Sequence, residues 1–114
     1  MEFILYCIDK PDRARVRLET RTAHLEYVSG RQDIFHYGGP LIDEQGETKG
    51  SLMIVRLPDR AALDQHLRGD PFFGADLFAS VTIWSSRQVI PETAPGLLRA
   101  EIDRQAQLAA SPAE

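Results

Sequence analysis

Three histidines, a run of arginines on one predicted helix and an Asp-Pro pair are the parts of this 114-residue chain whose types and spacing could do chemistry. His24 offers an imidazole that titrates near neutrality and can take a proton from a carbon or hydroxyl next to a carbonyl. Asp70 precedes Pro71 at the start of a predicted helical turn, where an aspartate caps the helix. A carboxylate in that place can also fix a histidine's tautomer and stabilise its protonated form. Arg21 is the sharpest anomaly. At about 100° per residue, Ala14, Leu18, Leu25 and Val28 share one stripe directed at a sheet, and Arg21 falls inside it. Arg17 and His24 lie at its border, one turn either side. A guanidinium near a core is costly unless an anion or carbonyl meets it. Two readings follow. Arg21 snorkels or pairs with a carboxylate for structural reasons, or Arg21 and His24 look into a cleft and orient an anionic substrate.

The remaining candidates rank lower. His36 is predicted on a strand whose neighbours Phe35 and Tyr37 point to the opposite face, which makes it a second candidate for the cavity. His66 follows a polar stretch and is expected in solvent. Cys7, between Tyr6 and Ile8, is expected inside and unsuited to nucleophilic work. The three histidines lack the i, i+4 pairing of a helical metal motif, and there is no Cys-x-x-Cys, so no metal site is expected. Glycine-rich phosphate and dinucleotide signatures are missing too, and no cofactor is expected. Phe35, Tyr37, Phe72, Phe73 and Trp84 are candidates for apolar pocket walls.

The elements that must position these groups are legible from pattern. Residues 3–8 read as a buried strand ending at Asp9. A helix follows, with Pro11 and Asp12 in its first turn, running to about Val28 and stopping at a left-handed Gly30. Residues 34–41 read as a strand with a break or bulge at Gly38-Gly39. The polar turn at 43–47 returns the chain as a hairpin into a strand over 51–57. Asp59 caps a second helix ended by Gly69, Asp70-Pro71 opens a further turn, and residues 79–89 form a fourth strand. The order β-α-β-β-α-β predicts a ferredoxin-like α+β protomer, a four-stranded antiparallel sheet with two helices on one face. This domain is expected over residues 1–90. Residues 91–114 are expected to be a C-terminal extension, a short helix over 97–108 and a frayed end at 109–112.

Composition bounds the rest. Hydrophobic residues at 43% and charged residues at 26% describe an ordinary folded domain, too short for two cores. Thirteen Lys+Arg against seventeen Asp+Glu leave a net charge of −4, which argues against nucleic-acid binding. No apolar run approaches a membrane span, the N-terminus does not read as a signal peptide, and one cysteine fits a cytoplasmic location. The run Leu52-Met53-Ile54-Val55 puts apolar side chains on both faces of the sheet. The uncovered face predicts self-association, most simply a two-fold homodimer.

The fragments Arg21-Thr22-Ala23-His24-Leu25, Gly39-Pro40-Leu41, Gly50-Ser51 and Gly69-Asp70-Pro71-Phe72-Phe73, in this order and spacing, resemble the YCII-related proteins over about residues 1–90. That resemblance implies a dimeric α/β-barrel, two sheets face to face, with a pocket whose active-site histidine and aspartate match His24 and Asp70. It also implies cofactor-free proton transfer on a small cyclic or aromatic compound. The expectation is a small enzyme of lyase, isomerase or dehalogenase type. His24 would be its acid or base, Asp70 its orienting partner, and Arg21, His36, Tyr37 and Phe72 would contact the substrate. The alternative is a non-catalytic dimeric module for a small ligand or a partner. An open cavity reaching His24 would favour the enzyme; a fully satisfied polar cluster would favour the module.

Overall fold

A computed structural model describes residues 1–111. The chain forms β1 (Glu2–Asp9), α1 (Ala14–Ser29), a 3-10 turn (Gln32–Ile34), β2 (Phe35–Ile42), β3 (Thr48–Arg56), α2 (Arg60–Gly69), the short α3 (Pro71–Gly74), β4 (Phe78–Ser86) and α4 (Leu97–Ala110). The sheet order is β2-β3-β1-β4 and every pairing is antiparallel. This is the ferredoxin-like α+β arrangement the pattern predicted. The hairpin between β2 and β3 closes through Asp43, whose amide donates to the Glu47 carbonyl while its side chain caps the turn. Asp59 caps α2 by accepting from the Ala62 amide at 2.8 Å, as its position predicted.

Pleating divides the sheet into two faces. Phe3, Leu5 and Cys7 of β1 and Met53 and Val55 of β3 form the core with Leu63 and Leu67 of α2. Their neighbours Ile4, Tyr6, Leu52, Ile54 and Trp84 lie on the other face, which no element among the described residues covers.

Several local expectations need correction. Pro11 and Asp12 form a turn before α1, with Asp12 at φ 61°, and the helix begins only at Ala14. Gly30 ends it in the right-handed region, with φ −80°. Strand β2 runs unbroken through Gly38-Gly39; its irregularities fall between Phe35 and Tyr37 and between Leu41 and Ile42. Strand β4 stops at Ser86, short of Val89. Ala109 and Ala110 are helical rather than frayed, and Pro112 lies outside the described residues.

The largest correction concerns the rotation of α1. Leu18 is 65% exposed and Arg21 is exposed, whereas Arg17 is only 8% exposed. The helix turns a polar face inward, through Arg17, His24 and Tyr27. Polar side chains of that size cannot close-pack on the sheet as leucines would, and a cavity opens between α1 and the strands.

Candidate active site

The cavity holds about 510 Å³ and lies between α1 and the edge of the sheet. Its helix wall includes Arg17, Arg21, His24 and Val28; its floor includes Gly38, Pro40, Ser51 and Met53 of β2 and β3; Phe72 of α3 closes one side. Arg17 and His24 are seven residues apart, so they project from the same face of α1 about 10 Å from one another. The Phe72 ring fills the interval. It stacks on His24 at 4.0 Å between centroids, and the Arg17 guanidinium carbon stands 4.7 Å from its centre.

Asp70 is fully buried behind His24, which is itself nearly so. The Oδ1 of Asp70 accepts from the Phe72 amide at 3.0 Å, the predicted N-cap, and also meets His24 Nδ1 at 2.7 Å. A carboxylate oxygen only accepts, so the proton of this contact sits on Nδ1, and in the neutral imidazole the lone pair falls on Nε2. Nε2 has no protein partner among the described residues, and His24 borders the cavity.

A second polar group lies beside the first. Arg17 grips Asp9 through Nε at 2.7 Å and Nη2 at 2.8 Å, and Nη2 also donates to Ser51 Oγ at 2.9 Å. Both members of the ion pair are nearly buried. Nη1 is left without a protein partner among the described residues, and Ser51, accepting from Arg17, keeps its own hydroxyl proton to donate. The site thus combines a proton acceptor with two donors bordering the same space.

Of the residues predicted for substrate contact, Arg21 and Phe72 line the cavity, Arg21 from its exposed rim. His36 and Tyr37 do not. The bulge between Phe35 and Tyr37 consumes one residue of the pleat, so Phe35 faces the cavity opposite Val55 while Tyr37 lies on the uncovered face opposite Ile54. His36 is exposed and meets Glu2 Oε1 at 3.0 Å. Phe73 and Trp84 also lie away from the lining. Arg17, Asp9 and Ser51 had no predicted role in the site; the seven-residue spacing of Arg17 from His24 was the available signal.

Two further groups are shifted by burial. The Cys7 thiol is pushed up to about 12, chiefly by desolvation and next by the Asp70 charge, which leaves it inert. His66 was expected in solvent but is 1% exposed; burial first, and the Arg31 charge second, hold its imidazole below the ordinary range. No cluster of three potential metal ligands occurs among the described residues, nor is any helix there long and apolar enough to cross a membrane.

The fold and site define a class: a ferredoxin-like α+β domain with a His-Asp pair facing a cavity between helix and sheet. Within it, this chain belongs to the family of the YCII-related domain, whose family model matches residues 1–87. Its structure is similar to that of 5-chloro-2-hydroxyhydroquinone dehydrochlorinase (TftG) from Burkholderia phenoliruptrix AC1100 in complex with 2,5-dihydroxybenzoquinone. The two share 26% identity and a TM-score of 0.72, over 77% of this chain and 95% of that one. An antibiotic biosynthesis monooxygenase (18% identity, TM-score 0.47, 76% of this chain and 98% of that one) and Rv0793 from Mycobacterium tuberculosis (19%, 0.45, 76% and 94%) are similar at a coarser level. No curated protein sequence matches the chain.

Proposed function

We propose that this protein is a cofactor-independent small-molecule enzyme that moves a proton on a compact cyclic or aromatic substrate, in a lyase, isomerase or dehalogenase reaction. The observation that carries this reading is the free Nε2 of His24 at an open cavity, backed through Nδ1 by a buried carboxylate. A cluster built only for structure would satisfy itself and leave no space beside it, so the cavity weighs against a purely non-catalytic module.

In this mechanism His24 Nε2 takes the proton from a hydroxyl, or from a carbon next to a carbonyl, and Asp70 steadies the imidazolium that results. Negative charge gathers on the substrate oxygen as the proton leaves. Arg17 and Ser51 both line the cavity and offer Nη1 and the hydroxyl as donors for that oxygen, and Asp9 holds the guanidinium in place. Phe72, Phe35 and Met53 supply an apolar wall for a flat ring, and Arg21 offers a cation at the mouth. The dehydrochlorinase likeness supports a ring substrate from which chloride or a comparable group departs once the oxyanion forms. We place this activity in residues 1–90, with 91–114 as an extension, and in a homodimer formed through the uncovered sheet face.

The test is turnover of chlorinated hydroxyhydroquinones, related phenols and lactones by wild type, His24→Ala and Arg17→Met. Loss of about 10²-fold or more in His24→Ala, with the fold intact by circular dichroism, is the expected result. Full activity in that variant overturns the reading.

A further inference from the structure

Two buried polar atoms find no protein partner among the described residues: Nε2 of His66 and Oδ2 of Asp70. They are complementary. Arg31 Nε donates to His66 Nδ1 at 2.9 Å, so Nδ1 holds the lone pair and Nε2 the proton. On Asp70, Oδ1 already serves Phe72 and His24, which leaves Oδ2 as an acceptor with nothing to accept. Both atoms are shut off from bulk solvent, and native proteins rarely leave such atoms orphaned. His66 lies in the last turn of α2 and Asp70 just past its end, four residues on, the spacing that sets side chains on one helix face.

We propose that His66 donates its Nε2 proton to Oδ2 of Asp70, through a torsional adjustment of the two side chains, and so acts as a positioning residue for His24. The catalytic consequence rests on the reading of His24 as the acid–base group; the pairing rests on the two orphaned atoms alone. Asp70 then receives three donors: the Phe72 amide and His24 on one oxygen, His66 on the other. The second imidazole fixes the plane of the carboxylate, and with it the direction of His24. It also draws charge toward Oδ2 and moderates the pull of Oδ1 on the His24 Nδ1 proton.

The surroundings hold His66 to this task. Its carbonyl accepts from the Tyr27 hydroxyl at 2.6 Å, and the Arg31 guanidinium that reaches Nδ1 lies 5.4 Å from the Tyr27 ring centre. Gly69 lets the two helices approach, since a Cβ there would stand 2.6 Å from the Tyr27 hydroxyl oxygen. The charged and titratable groups around the pair are Arg17, His24 and Tyr27 from α1, Arg31 from the turn after it, and Cys7 and Asp9 from β1.

Ring-nitrogen NMR on the full chain tests the pairing without any substrate. In wild type the expected signature is a neutral His66 with its proton on Nε2, protected from exchange. In His66→Asn, which retains an acceptor for Arg31 but cannot reach Asp70, the His24 Nδ1 proton should move to lower field. In His66→Gln, whose amide N–H extends to the position of Nε2, it should return toward the wild-type position. A His66 proton on Nδ1 in wild type overturns the proposal, as does an unmoved His24 proton in folded His66→Asn or an equal displacement in both variants. Should neither variant fold, the wild-type tautomer and its exchange protection decide. An inactive site would leave this pairing standing, and a failed pairing would leave the His24→Ala turnover test untouched.

Discussion

Asp70 shows how much one side chain can be asked to do: a single oxygen caps α3 and orients His24. The two roles separate by substitution. Asparagine caps as well as aspartate, so Asp70→Asn should cost no more than about 1 kcal/mol of stability through the cap, while turnover falls by about 10²–10⁴ because the imidazolium loses its counter-charge. Asp70→Ala should lose the cap as well, a further ~1 kcal/mol. Urea unfolding alongside kcat measures both; equal activity in Asp70→Asn and wild type would reduce the carboxylate to a cap. His66 makes a different demand. Its folded pKa lies below the ordinary 6.5, so on acidification the unfolded chain takes up the proton first. Stability is therefore level above about pH 6.5 from this group and falls as pH drops toward the depressed folded value. The melting temperature of wild type should decline through that window more steeply than that of His66→Gln. Parallel profiles would mean that His66 is not the group responsible.

At the scale of elements, the strands, their order and both capping aspartates were legible because apolar alternation and Asp-x-x spacing are local signals. The rotation of α1 was not. Hydrophobic periodicity assumes that the whole apolar stripe packs inward, yet Leu18 is exposed and Arg17 is buried, and Leu25 and Val28 of that stripe border a cavity rather than a packed core. The guanidinium anomaly was real but lay one turn away, at Arg17, and its anion is Asp9, a strand terminus that no helical pattern could supply. The bulge that sends Phe35 and Tyr37 to opposite faces was equally hidden, since it depends on pairing with β3. His24 and Asp70 stood out by residue type and capping position, and the family resemblance paired them; only the fold brings them together across 46 residues. The sheet beneath the site depends on Gly50, where a Cβ would stand 2.1 Å from the Cys7 carbonyl oxygen. Backbone must shift to admit even a methyl group, so Gly50→Ala should cost about 1–3 kcal/mol and disturb Ser51 next to it. Denaturant unfolding checks this, and a neutral result would show that β1 and β3 separate without penalty.

The whole molecule presents a sheet with one finished face and one unfinished. On the unfinished side Ile4, Tyr6, Tyr37, Leu52, Ile54 and Trp84 lie across all four strands, with Trp84 64% exposed. A contiguous apolar surface of this kind on a small domain marks an interaction site. In the homodimer proposed above, a two-fold axis would bring these residues against their own copies. Light scattering should therefore return twice the chain mass of 12.8 kDa at micromolar concentration. Trp84 fluorescence should shift to the blue relative to Ile54→Lys, which keeps the chain's one tryptophan and should run as a monomer. The cavity lies behind this face, since Ser51 and Met53 point to α1 while Tyr37, Leu52 and Ile54 point away from it. Charges introduced on the outer face should accordingly disrupt assembly first and leave the His24–Asp70 contact in place, visible as an unchanged His24 ring-proton resonance. A wild-type chain that stays monomeric at high concentration would sink the dimer and leave this apolar face without the partner assigned to it.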